Sequence, residues 1–96
     1  MSEIHFEWDP RKARSNLKKH GVSFHEAESA FYDDEALILE DPEHSDDEER
    51  LVLLGLSSVL RLLVVIHCFR GPDDTIRIIS ARKATPSEAG QYEARL

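Results

Sequence analysis

The chain contains a single cysteine, Cys68, so no internal disulfide can form. Cys68 sits in an apolar run and reads as a buried, inert thiol rather than a nucleophile. No apolar run approaches the roughly 18 residues that a membrane-spanning helix needs. Zinc-ligand spacings, a phosphate-cradling glycine loop and a Ser-His-Asp pattern are all missing, which removes the signatures of structural zinc, nucleotide binding and acyl transfer. Met1-Ser2-Glu3 lacks the basic start and apolar stretch of a secretory leader, so a cytoplasmic protein is expected. With 4 glycines, 4 prolines, no internal repeat and no low-complexity linker, the 96 residues read as one domain, 1–96.

What the chain has in excess is negative charge, and that charge is unevenly placed. The net charge is −7. Residues 26–50 hold twelve Asp and Glu against one base, Arg50, for a net of −11, while the rest of the chain carries +4. Local potential within a Debye length of ~10 Å governs a phosphate ligand, not total charge. The basic part can therefore bind RNA, and the acidic part can repel RNA, attract a basic partner or serve solubility.

Ile4, Phe6 and Trp8 alternate with His5 and Glu7, which predicts a half-buried first strand. Asp9 as N-cap and Pro10 at the first helical position open a helix to about His20, with Lys18, Lys19 and His20 at the negative end of its dipole and Gly21 as its stop. Ser23-Phe24-His25-Glu26 has capping-box spacing and starts a short second helix, ended by Asp33-Asp34. Ala36 to Leu39, Arg50 to Leu56, Arg61 to Phe69 and Thr75 to Arg82 read as strands. Between them lie an acidic loop over 40–49, a turn at Gly55, Ser57 and Ser58, and a second turn from Arg70 to Asp74. Thr85-Pro86-Ser87-Glu88 caps a last helix running through Tyr92 to about Arg95. The order β-α-α-β-β-β-β-α predicts an α+β fold. An antiparallel sheet of four to five strands carries two N-terminal helices on one face, followed by a C-terminal helix, with the helices together covering one face. Leu62 to Ile66 is apolar at both parities, so both faces of that strand should be covered.

Metal-free RNA cleavage needs a group that takes the 2′-hydroxyl proton, a group that steadies the phosphorane and one that helps the leaving oxygen. Three clusters offer such groups. Lys12, Lys18, Lys19 and His20 on the first helix form either a solvated basic face or a phosphate-binding rim. His67 and Arg70 end one strand, and Arg77, Ser80, Arg82 and Lys83 lie on the next. Arginine suits a phosphorane because its fork presents two donors at once. Strict alternation sends Arg77 and Arg82 to opposite faces unless a bulge intervenes, and either could instead form a structural salt bridge. His67 is a catalytic candidate or a hydrogen-bonded core histidine. Glu88 and Tyr92 share a face of the last helix; Glu88 doubles as a cap residue, and Tyr92 either stacks on a base or packs the helix. The carboxylates and His44 of residues 43–49 invite a metal reading, but the spacing matches no calcium loop and favours a solvated acidic loop.

The order Trp8-Asp9, Lys12, Asn16, Lys19-His20-Gly21-Val22, Phe24, Ala27, Phe31 and then Glu49-Arg50, Gly55, Leu63-Val64-Val65, His67, Arg70, Arg77, Ile79-Ser80-Ala81-Arg82, Ala84, Glu88, Tyr92 resembles the BrnT family of small bacterial toxins over nearly the whole chain. The resemblance implies a RelE-like fold and a metal-independent RNA endonuclease that blocks translation and needs no cofactor. It implies neutralisation by a BrnA-like ribbon-helix-helix antitoxin, in a complex of two toxins and two antitoxins that binds operator DNA through the antitoxin. Under it, His67, Arg70, Arg77, Arg82 and Tyr92 become the catalytic candidates, and Lys12, Lys18, Lys19, His20 and Lys83 the RNA contacts, with no metal ligand and no membrane partner. Two rival expectations stand beside it. One is a catalytically weak binding module that complexes a DNA-binding partner and tunes repression, suggested by the acidity and the lack of a sharp triad. The other is a metal-dependent phosphodiesterase using the 43–49 carboxylates.

Overall fold

The computed structural model describes residues 4–40, 50–71 and 74–96. The Met1-Ser2-Glu3 start, the acidic run 43–49 and the middle of the 70–74 turn lie outside them.

Strand β1 (His5–Glu7) leads into helix α1 (Pro10–His20). The Asp9 carboxylate accepts the Arg11 amide at 2.8 Å, and Gly21 ends the helix at φ 71°, a left-handed angle that glycine adopts without a Cβ penalty. Ser23 caps helix α2 (Phe24–Ala30) through the Glu26 amide. Strands β2 (Leu37–Glu40), β3 (Leu51–Leu56), β4 (Leu62–Arg70) and β5 (Thr75–Lys83) follow, then helix α3 (Pro86–Glu93), opened by a reciprocal capping box between Thr85 and Glu88.

The five strands form one sheet in the order β1-β5-β4-β3-β2. The consecutive strands β2 to β5 pair antiparallel, but β1 runs parallel to β5, so the sheet is mixed rather than antiparallel throughout. Tight turns fix the sense of consecutive strands only; β1 meets its neighbour from the far end of the chain, and no turn constrains it.

The helices also divide between the two faces instead of sharing one. Val22, Phe24, Ala27 and Ala30, at the start of α2 and along it, pack on Leu53, Leu63, Val65, Ile78 and Ala81. Tyr92 of α3 packs on Leu54 and Val64 on the opposite face. A strand apolar at both parities needs cover on both sides, and α3 supplies the second layer over one end of β4. Gly55 lies within β3 rather than in a turn: a Cβ there would stand 2.8 Å from the Ala30 carbonyl oxygen, so only glycine lets α2 approach this closely. The turn itself falls at 57–60, where Leu60 takes φ 64°.

One buried polar side chain joins the layers. Because β1 pairs only with Thr75 to Arg77, the far half of β5 has no strand neighbour on that side. Asn16 of α1, only 7% exposed, takes the place of that neighbour. Its Nδ2 donates to the Ala81 carbonyl at 2.8 Å and its Oδ1 accepts the Ala81 amide at 3.1 Å. A further Nδ2 bond, 2.9 Å to the Val22 carbonyl, ties in the link to α2. Asn16→Asp would aim a carboxylate at two carbonyl oxygens, and a buried group left unsatisfied costs about 1–3 kcal/mol, more when charged. Urea unfolding at neutral pH should therefore find Asn16→Asp destabilised by about 3 kcal/mol or more, against less than about 1 kcal/mol for the exposed Ser15→Ala.

Candidate functional site

The pairing of β4 with β5 slips between Ile66 and His67: Ile66 faces Ser80, yet His67 faces Ile78, so Ile79 is an extra residue on β5. This bulge cancels the alternation that would separate the two arginines. Arg77 pairs with Cys68 and Arg82 with Val64, and Cys68 and Val64 lie on the same side of β4. Arg77, Arg82 and the exposed Arg70 therefore share one face, the one that α1 and α2 leave bare and α3 covers only at the Leu54–Val64 end.

Each central arginine is steered by a carboxylate. Arg77 Nη1 donates to Glu7 Oε2 at 2.8 Å, with the two side chains 31% and 42% exposed. That bond uses one of the five guanidinium N–H groups and leaves the others for a ligand. Arg82 grips Glu88 with both terminal nitrogens, at 2.8 and 2.9 Å. The Arg82 bonds, with the Thr85 amide, hold Glu88 down at about 2. Glu88 is thus a fixed anion that sets the Arg82 fork. Glu7 is the more open carboxylate on this face among the described residues.

The other candidates lie elsewhere. His67 points to the helix side of the sheet, opposite the arginines, and is wholly buried. Its Nδ1 lies 3.1 Å from the Val65 carbonyl, which can only accept, so Nδ1 carries the proton; burial lowers its pKa and keeps the ring neutral. Its Nε2 has no partner among the described residues. Tyr92 is only 7% exposed and donates to Asp33 Oδ2 at 2.6 Å, a bond that pushes the phenol up to about 12. Asp33 also accepts the Leu56 amide at 2.8 Å, so this pair clamps α3 to β3. Lys12, Lys18 and Lys19 are exposed on α1, with His20 half-buried, and Lys83 pairs with Leu63 on the helix side. Lys83 therefore lies on the side of the sheet opposite the arginines, and the α1 set stands on a helix at the free edge of β5. Arg61, not singled out in the sequence, braces the helix side by gripping Glu26, which Ser57 also holds at 2.8 Å.

Two further residues join the arginine face without having stood out as chemistry in the sequence. Glu7 pairs with Arg77 only because β1 lies parallel beside β5, a contact seventy residues apart that no local pattern signals. Arg50 precedes β3, and one more step of its alternation brings it in line with Cys68 and Arg77; its Nε is buried with no partner among the described residues. No group of three or more metal-ligating side chains is found among the described residues. Nor is any helix there long and apolar enough to cross a membrane.

Residues 8–88 match the family described as "Ribonuclease toxin, BrnT, of type II toxin-antitoxin system". The fold superposes on the crystal structure of the Brucella abortus ribonuclease toxin, BrnT, with a TM-score of 0.62 at 26% identity, covering 86% of this chain and 99% of that one. A search of curated proteins finds no match.

Glu88 generates a stability prediction with a definite sign. Its folded-state pKa of about 2 lies below its ordinary 4.5, so its contribution is present above pH 4.5 and is lost as pH falls towards 2. Acid titration of unfolding free energy should show that loss, and Glu88→Gln, which keeps the capping box, should flatten the same limb.

Proposed function

The chain belongs to the BrnT family of ribonuclease toxins of type II toxin–antitoxin systems, and from that premise we propose that it is a metal-independent RNA endonuclease whose cleavage site is the arginine face. The observation that carries this reading is the β5 bulge, which places Arg77 and Arg82 on one face, Arg82 at the edge of α3, each oriented by its own carboxylate. Two guanidinium charges fixed before the substrate arrives favour a dianionic phosphorane over the monoanionic diester from which it forms.

In this mechanism the RNA backbone crosses the sheet, with the scissile phosphate between Arg77 and Arg82 and a neighbouring phosphate at Arg70. Glu7, beside Arg77, accepts the proton of the 2′-hydroxyl as its oxygen bonds to phosphorus; the bond from phosphorus to the 5′-oxygen breaks, and that oxygen takes a proton from water. His67 and Tyr92 act through the fold, one under the sheet and the other as the clamp on α3. Lys12, Lys18, Lys19, His20 and Lys83 add sequence-independent attraction for flanking phosphates. The RelE-like relation, arrest of translation in the cytoplasm, and neutralisation by a BrnA-like ribbon-helix-helix antitoxin in a 2:2 complex on operator DNA complete the proposal.

A second reading, a catalytically weak binding module, is favoured by one observation: both central arginines already hold carboxylates. Activity assays separate the two. Arg77→Ala with Arg82→Ala should abolish growth arrest on induced expression and lower RNA cleavage by about a thousandfold or more, with antitoxin binding intact. Full toxicity of that double variant at equal expression would refute the site. Excess EDTA should leave cleavage by the wild type unchanged. Glu7→Gln should lower kcat by about a hundredfold at unchanged RNA affinity; a loss of affinity alone would assign Glu7 to positioning.

A further inference from the structure

The helix-side layer is incomplete. Past the end of α2 an apolar groove of about 400 Å³ crosses the sheet, walled by Ile4, Phe31, Ile38, Phe69 and Ile76, with His67 in its lining. Three of these are open to solvent: Ile4 at 42%, Ile38 at 55% and Phe69 at 59%. Neighbouring apolar side chains left this exposed along a concave surface are the usual mark of a protein contact rather than of a free surface. The charge around the groove has one sign. Asp33 and Asp74 belong to the lining, which includes no Lys or Arg. Asp34 and Glu35, which follow Asp33 in the chain, are exposed.

We propose that this groove is the anchoring site for a basic amphipathic segment of the antitoxin, one that seats apolar side chains between Ile38 and Phe69 and lays Lys or Arg along the acidic rim. That the partner is an antitoxin rests on the function proposed above; the place and chemistry of the contact rest on the groove. Apolar anchors in a pocket supply the affinity, and opposite charge at the rim speeds encounter and excludes acidic competitors. The same charge disfavours RNA here. His67 lies in the lining, its Nε2 buried and without a partner among the described residues. The groove lies on the face opposite Arg77 and Arg82, so anchoring and cleavage are separable by mutation.

The test uses the full chain and, as probe, the protein encoded by the reading frame adjacent to its gene. Affinity is measured for the wild type, Ile38→Lys and Phe69→Lys, alongside growth arrest by each chain expressed alone. Both substitutions fall at exposed positions, and retained growth arrest shows that the variants fold. We expect each lysine to weaken binding by on the order of 30-fold or more, with arrest unchanged, and the wild-type affinity to fall with added salt. Wild-type binding with undiminished affinity in both variants would overturn the groove alone. Absence of any wild-type binding would overturn the antitoxin reading and the groove with it. A wild-type dimer that Ile38→Lys dissociates, with antitoxin affinity unchanged, would assign the groove to a second copy of this chain and overturn the proposal. If Phe69→Lys loses arrest through misfolding, Ile38→Lys on the edge strand decides the question.

Discussion

The fold turns on a side-chain amide doing the work of a strand. Asn16 satisfies both the N–H and the C=O of Ala81, on the stretch of β5 where β1 has ended. Without it, an exposed edge would begin in the interior of the domain. With it, α1 is fixed against β5, and the third bond to Val22 sets where α2 enters the core. The placement of α1 and α2 on one side then decides what the other side is for. It is left to α3, to the Asp33–Tyr92 clamp and to the arginines.

That division gives the acidic total a physical sense. On the arginine face the carboxylates are few and are bound to guanidiniums, so they orient cations without leaving an unpaired negative field. The helix side is different: past α2 the exposed charge is acidic and is interleaved with Ile38 and Phe69. A net of −7 is compatible with RNA chemistry because local charge, not the total, acts on a phosphate: Arg70, Arg77 and Arg82 share one face, and the groove lined by Asp33 and Asp74 lies on the other. One chain thus presents one face suited to a polyanion and another suited to a polycation.

What the sequence disclosed was the chemistry that operates over a few residues. Asp9-Pro10, Gly21, Ser23 and Thr85-Pro86-Ser87-Glu88 each act within a turn of helix, and all three helices begin where those residues predict. The apolar run of β4 announced that both of its faces are covered at one end. What stayed hidden was set by partners far along the chain. The parallel sense of β1, and with it the Glu7–Arg77 pair, depends on residues seventy positions apart. The strand over Arg50 to Leu56 includes Gly55, but that this glycine serves a close approach of α2 and not the neighbouring turn is visible only once α2 is placed. The single inserted residue, Ile79, leaves no mark in composition or periodicity, yet it decides whether Arg77 and Arg82 share a face. His67 had two readings in the sequence, and its burial on the helix side leaves it out of contact with the arginine face.

The most direct measurement is where RNA sits. Arginine Nε–H and backbone resonances of the full chain would be followed by NMR as a short RNA analogue, 2′-deoxy at every position and so unable to be cleaved, is added. The account predicts shifts at Arg70, Arg77, Arg82 and Glu7, with Ile38, Phe69 and the acidic rim unmoved. Shifts confined to Lys12, Lys18 and Lys19 on α1, with Arg77 and Arg82 still, would contradict it and move the RNA to the other side of the sheet.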